Sequence, residues 1–177
     1  MRYEQIGEVI GGTPLIRVDA LLPEAARAKG IHLFAKVELL GPTGSIKDRT
    51  AKALIDDLLF KGLLTPGKEL LEPTSGNTGA ALAVHAAARS IPLTLVMPAN
   101  VTEERRAFVR ALGATIIDSP ADQGSNGAVL LARAMAKADP KYVSPDQYSN
   151  QANPKVHEVT TAPEILTDLP EVDVVVA

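Results

Sequence analysis

"ELLEPTSGNTGAALAVHAAARSIPLTLVMP", residues 69–98, holds the pattern on which the fold turns. Glu69 to Pro73 is long enough for a short strand only. Thr74 to Gly79 is entirely small or polar, with glycine at 76 and 79, and reads as a loop. Ala80 to Ser90 follows as a helix that is apolar nearly all round, a composition suited to burial. Leu93 to Met97 is a mainly apolar run, with Thr94 its one polar residue, closed by Pro98, as in a strand covered on both faces. Strand, loop, helix and strand within ~30 residues make a βαβ unit, whose strands run parallel.

The same alternation extends outward. Upstream, His32 to Leu39 reads as a strand, and Asp48 to Gly62 as a helix with Ala51, Leu54, Ile55, Leu58 and Leu59 on one face. Downstream, residues 102–113 read as an amphipathic helix with Ala107, Phe108, Ala111 and Leu112 inward and Gly113 ending it. Ala114 to Ser119 is the next strand and Ser125 to Asp139 the next helix. A further helix is expected between Pro154 and Leu166, and "VDVVVA" (172–177) closes the chain as a strand. The fold class is α/β, with parallel sheet covered by helices on both faces. In such folds ligands sit beyond the carboxyl ends of the strands, where loops meet helix N-termini.

Composition narrows the function classes. The 177 residues include no cysteine, which removes disulfides, thiolate metal sites and a cysteine nucleophile. A net charge of −3, with both signs interspersed, argues against nucleic acid or anionic membrane as partner. The N-terminus lacks a secretory pattern, and no apolar run approaches the ~20 residues of a membrane span. A soluble, cytoplasmic protein is expected.

Two stretches offer chemistry. In "GPTGSIKDR" (Gly41 to Arg49), Ser45 is expected to cap a helix and Asp48 to reach back to it. Lys47 then falls in the first turn, where the helix end disfavours an ammonium by about 0.3–1 kcal/mol. Bringing a lysine from ~10.4 to near neutrality takes roughly 4–5 kcal/mol, so position alone does not decide between a reactive amine and a lysine turned to water. In "EPTSGNTG" (Glu72 to Gly79), two glycines allow close backbone approach, and Thr74, Ser75, Asn77 and Thr78 supply polar groups. Helix N–H groups there suit a phosphate or carboxylate. Ordinary capping by Asn77 or Ser75 is the other reading.

Other patterns fail. There is no Walker loop and no G-x-G-x-x-G after a strand. His32, His85 and His157 are too dispersed for a metal site, and His85 reads as a core or rim residue. Glu103–Glu104 and Asp56–Asp57 read as solvated helix faces. Gln147, in "DQYSNQANP", carries little meaning alone.

Together, "GGTPLIRV", "GPTGSIKDR", "EPTSGNTGAALA", "LVMPANVTEERRAFVRALGA", "DQYSNQANP" and "HEVTTAPEI" resemble the cysteine synthase family, O-acetylserine sulfhydrylase and its cystathionine β-synthase relatives. The resemblance runs in order through nearly the whole chain. It implies the N-terminal half of the tryptophan-synthase-β-like fold and the cofactor pyridoxal phosphate. Lys47 resembles the lysine that holds the cofactor as a Schiff base and later removes the substrate Cα proton. Asn77 resembles the residue bonded to the cofactor's ring oxygen. Thr74, Ser75, Gly76 and Thr78 resemble the loop that grips the substrate carboxylate, and Gln147 a second contact to it.

By the same resemblance, residues 1–45 contribute strands to a cofactor domain, 46–150 form a smaller lid-like domain, and 151–177 begin the rest of the cofactor domain. Gly41 stands where the family usually has Asn, Gln151 where Pro is common, and Ala162 where Gly is common. The family's phosphate-binding loop and its pyridine-nitrogen partner come after the strand matching "VDVVVA", so the 177 residues alone are expected to be inactive and to retain cofactor poorly. The implied activity is β-replacement on an O-activated serine, forming cysteine from sulfide; the implied partners are a second copy in a homodimer and a complementing C-terminal half. The alternative is a non-catalytic remnant that binds an amino acid or a partner chain. A threonine synthase or serine dehydratase relative fits "TSGNTG" less well.

Overall fold

The computed structural model describes residues 2–176. Strands are β1 (Leu15–Arg17), β2 (Phe34–Lys36), β3 (Glu69–Pro73), β4 (Leu93–Pro98), β5 (Thr115–Ser119) and β6 (Tyr142–Val143). Helices are α1 (Glu24–Arg27), α2 (Lys47–Phe60), α3 (Asn77–Ala87), α4 (Glu103–Ala111), α5 (Gly124–Ala138), α6 (Ala152–Val156) and α7 (Ala162–Asp168). A π-helical turn, His157–Thr161, joins α6 to α7, so the expected helix after Pro154 is present but carries an irregular middle.

The βαβ reading of residues 69–98 holds. Four parallel strands lie in the order β5-β4-β3-β6, with Leu70 opposite Leu93 and Glu72 opposite Leu95. Their period of two sends alternate side chains to opposite faces. Leu70, Leu93, Leu95 and Met97 pack with Ala51, Ile55 and Leu58 of α2, Ala81, Leu82 and Ala86 of α3, and Val109 of α4. Leu71 and Val96 face the other way, onto Ala128 and Ala132 of α5. A separate two-stranded sheet, β1 with β2, is antiparallel.

Three details differ from the sequence reading. On α4, Arg106 and Val109 are buried, whereas Ala107 and Ala111 are exposed and Phe108 is 44% exposed. Arg106 turns inward because its guanidinium pairs with Asp118 on β5, and that fixes the helix's rotation. On α2, Leu59 lies outside the buried stripe. Residues 172–176 form no strand: apolar content makes a strand only where a neighbour supplies a hydrogen-bonding edge, and none of the described residues does so. Ala177, the last residue of that expected strand, lies outside the described residues. Among the described residues no helix is long and apolar enough to cross a membrane.

Candidate active site

Topology collects the sequence-selected residues at one edge of the sheet. A helix joined to a parallel strand by a short turn runs antiparallel to it, so α2 and α3 both begin at the carboxyl ends of the strands. The loop after β6 emerges at that same edge. Residues 73–78, Gln147 and Tyr148 line a cavity of about 190 Å³ there, closed on the α5 side by Ser125, Ala128 and Val129.

The loop between β3 and α3 is shaped by its small residues. The Gly76 N–H donates to Thr74 Oγ1 at 3.3 Å, and a Cβ on Gly79 would stand 2.5 Å from Thr74 Cγ2. A Cβ on Gly76 would meet nothing within 4 Å, so that glycine leaves space. Arg105 of α4 fastens the loop from outside by donating to the Ser75 carbonyl at 3.0 Å. No side chain caps α3, which excludes the plain capping reading of Asn77 or Ser75. The backbone N–H groups of Asn77 and Thr78 have no acceptor among the described residues, and the exposed Asn77 side chain makes no hydrogen bond. Unpaired N–H groups at a helix start make an anion site when polar side chains surround them.

On the far side the Thr78 hydroxyl donates to Gln147 Oε1 at 2.8 Å, and Gln147 Nε2 donates to Glu72 Oε1 at 2.9 Å. The sequence reading passed over Glu72, although an acid inside an otherwise apolar strand signals a buried carboxyl. It is 1% exposed, and its second oxygen has no hydrogen-bond partner among the described residues. Burial raises its pKa from 4.5 to about 7; the bond from Gln147 opposes the rise and the neighbouring Asp146 carboxylate adds to it.

The folded chain therefore keeps a proton on Glu72 that the unfolded chain releases between pH 4.5 and about 7, so stability falls as pH rises through that window. Glu72→Gln removes the ionisation. The variant is expected to exceed the parent's stability above pH 7 by a few kcal/mol and to match it near pH 4.5, read from guanidinium unfolding midpoints. An equal difference at both pH values would contradict this account.

Lys47 is the first residue of α2, and its N–H donates to Ser45 Oγ at 3.2 Å. The expected capping box is not formed. Asp48 instead turns into the preceding loop, where its carboxylate accepts from the Thr43 N–H at 3.0 Å and the Thr43 hydroxyl at 2.9 Å. That inward turn matches the glycine at 41, where a Cβ would come within 2.5 Å of Asp48 Oδ2. Lys47 is half-buried, and its ammonium makes no hydrogen bond or ion pair among the described residues. It does not line the cavity. His157 sits within reach of its charge, its pKa lowered by burial first and by Lys47 and Arg49 next. Its ring faces the Thr161 hydroxyl at 3.0 Å and the Thr50 hydroxyl at 3.4 Å.

His85 is a core residue, fully buried, with burial and Arg89 lowering its pKa to about 4. Asp56 pairs with Lys52 and Arg89. Asp57 accepts from Lys61 at 2.7 Å and from Asn150 at 3.0 Å, so it anchors the loop carrying Gln147 and is more than a solvated face.

Comparison with known proteins places the chain in a family. The family model described as "Pyridoxal-phosphate dependent enzyme" matches residues 6–177. The chain is 44% identical over 163 residues to a cysteine synthase of Aquifex aeolicus, covering 92% of this chain and 50% of that protein. It is 43% identical over 177 residues to cysteine synthase A of Escherichia coli, covering 99% of this chain and 53% of that one. Among solved structures, the cysteine synthase of Entamoeba histolytica superposes with a TM-score of 0.90 at 34% identity, over 96% of this chain and 50% of that one. An O-ureido-L-serine synthase does so at 0.88 and 37%, over 98% and 53%. The chain thus spans about half the length of the relatives it matches. By sequence and by fold, the chain belongs to the pyridoxal-phosphate dependent enzyme family.

Proposed function

We propose that this chain supplies the amine and the substrate-carboxylate contacts of a pyridoxal-phosphate site for β-replacement on an O-activated serine, the chemistry that forms cysteine from sulfide. The observation that carries it is the cavity where the unpaired Asn77 and Thr78 N–H groups meet Gln147. When bound, pyridoxal phosphate supplies an electrophilic carbon for an amine and an electron sink for the substrate Cα. Lys47 Nζ, without a partner among the described residues, is the group to hold the cofactor and afterwards to take the Cα proton. Asn77, exposed and unbonded at the start of α3, is assigned to the cofactor ring. Thr74, Ser75, Gly76, Thr78 and Gln147 are assigned to the substrate carboxylate.

These residues fit the aldehyde end of the cofactor and the amino-acid carboxylate, and none of them is assigned to the phosphate. That anchor is assigned to the part of the fold that the longer relatives possess and this chain does not span, in a homodimeric enzyme. On this reading residues 46–150 form the unit that closes over substrate and excludes water from it.

The test is amino-acid affinity. Ser75→Ala and Thr78→Ala are each expected to weaken O-acetyl-L-serine binding about ten-fold or more, because hydrogen bonds involving a charged group contribute roughly 1.5–3 kcal/mol. Thermal melts must first show both variants folded. Unchanged affinity in both would leave the loop as a structural turn and sink the reading.

A further inference from the structure

Thr78, Gln147 and Glu72 form a line of three hydrogen-bonding groups running from the cavity into the protein. The direction of such a line is set at its inner end. An ionised Glu72 only accepts, so it requires the Gln147 NH₂. The Gln147 carbonyl then faces Thr78 and takes the hydroxyl proton, as observed. Thr78 is left with only lone pairs for the cavity, the wrong polarity for an anion.

A protonated Glu72 permits the opposite direction. Its O–H donates to Gln147 Oε1 after the amide rotates, Gln147 Nε2 donates to Thr78 Oγ1, and the Thr78 hydroxyl proton is freed for a carboxylate in the cavity. The second Glu72 oxygen lacks a hydrogen-bond partner among the described residues in the observed arrangement, and the backbone N–H groups of Asp146 and Gln147 near the carboxyl favour its ionised form without offsetting the effect of burial. Charge acts in the same sense, since a buried carboxylate opposes a second anion nearby.

We propose that Glu72 is a positioning residue that sets the polarity of the Thr78–Gln147 pair and so couples anion binding in the cavity to uptake of one proton. The inference rests on the reading of this cavity as a carboxylate site. The groups around Glu72 leave it as the switching element. Asp146, on the loop after β6, repels its charge. Leu95 faces it across the sheet from β4. The titratable residue of α3 is His85, two turns beyond Thr78 and neutral above about pH 4. Asp57 of α2 is held by Lys61 and Asn150, and Arg133 of α5 and Tyr148 border the adjoining cavity. Glu72's own pKa of about 7 places the transition in an accessible range.

L-alanine is a suitable probe, because its own carboxylate raises the free amino acid's ammonium pKa above the chain-terminal range and keeps it a zwitterion between about pH 5.5 and 8.5. NMR titration of the 177-residue chain should give a Kd that is level up to about pH 7 and then rises, toward about ten-fold per pH unit. Binding near pH 8 should take up about one proton per ligand in a weakly buffered solution. Glu72→Gln should flatten the Kd profile and abolish the uptake, and Thr78→Val should weaken binding and reduce the slope. A pH-independent Kd in the parent, or a slope that survives in Glu72→Gln, overturns the role of Glu72 and leaves the carboxylate site standing. Absence of saturable L-alanine binding at every pH overturns both. If Glu72→Gln fails to fold, proton uptake by the parent decides alone, and none near pH 8 refutes the inference.

Discussion

Arg49→Ala is expected to cost about 3–5 kcal/mol of folding stability, a large share of the roughly 5–15 kcal/mol that holds an ordinary domain folded. Arg49 is only 2% exposed, yet its guanidinium meets two carboxylates. Nε and one terminal nitrogen donate to Glu38 at 2.8 and 2.9 Å, and the terminal nitrogens donate to Glu164 at 2.7 and 2.8 Å. Lys36 adds an ion pair to Glu164 at 2.8 Å, and the Thr13 hydroxyl donates to Glu38 at 2.6 Å. Burial alone would lower the Arg49 pKa, but the bonds to Glu164 and Glu38 outweigh it and the net direction is upward. Arg49 holds Glu164 down to about 2. The network joins the β1–β2 region, the first turn of α2 and α7, so its loss loosens the turn that carries Lys47.

Removing the cation leaves two carboxylates facing each other in a poorly hydrated place. The deficit of Arg49→Ala should therefore shrink as pH falls toward 4, because in the variant those carboxylates protonate at higher pH than in the parent. The parent behaves oppositely: Glu164, depressed from 4.5 to about 2, contributes stability above pH 4.5 that is lost as pH falls toward 2. Arg49→Met, which keeps much of the volume, should show the same pH signature with a smaller cavity contribution. Guanidinium unfolding at two pH values reads both. A loss under about 1 kcal/mol for Arg49→Ala would show that the network adds little beyond packing.

That network marks the limit of what the sequence made legible. Elements defined by periodicity were readable: α2 shows its buried stripe of Ala51, Leu54, Ile55 and Leu58, and β4 is an apolar run broken only by Thr94. The candidate site was readable where it is local, since residues 74–78 lie together in one loop. Arg49, Glu38 and Glu164 are separated by 11 and 115 residues, and no pattern within a single element joins them. The burial of Arg106 was hidden for the same reason, because its partner Asp118 lies on another element. Glu72 stood inside a motif already singled out, but its role depends on Gln147, 75 residues away. Periodicity reports which face is covered; it does not report which charge is waiting on the other side.

Lys47 should be the preferred site of reductive labelling by pyridoxal phosphate. Borohydride reduces the carbon–nitrogen double bond that an amine forms with the cofactor aldehyde, leaving a stable adduct that peptide mapping can place. Most lysines here are engaged: Lys52 with Asp56 and Lys61 with Asp57, each at 2.7 Å, Lys68 with the Pro140 carbonyl at 2.6 Å, and Lys36 with Glu164 at 2.8 Å. Lys141 and Lys155 pair with Glu69 and Glu158. Lys29, Lys47 and Lys137 have no such partner among the described residues, and of these Lys29 and Lys137 are exposed while Lys47 is half-buried. A half-buried amine loses less freedom on forming an adduct, and the unpaired N–H groups and polar loop of α3 begin at the same edge of the sheet. Occupancy at Lys47 should exceed that at Lys29 and Lys137 several-fold, and Lys47→Ala should lose most of the total label with its far-ultraviolet spectrum unchanged. Equal occupancy at the three positions would mean that Lys47 reacts as any surface lysine does, and the proposed function would lose its covalent anchor.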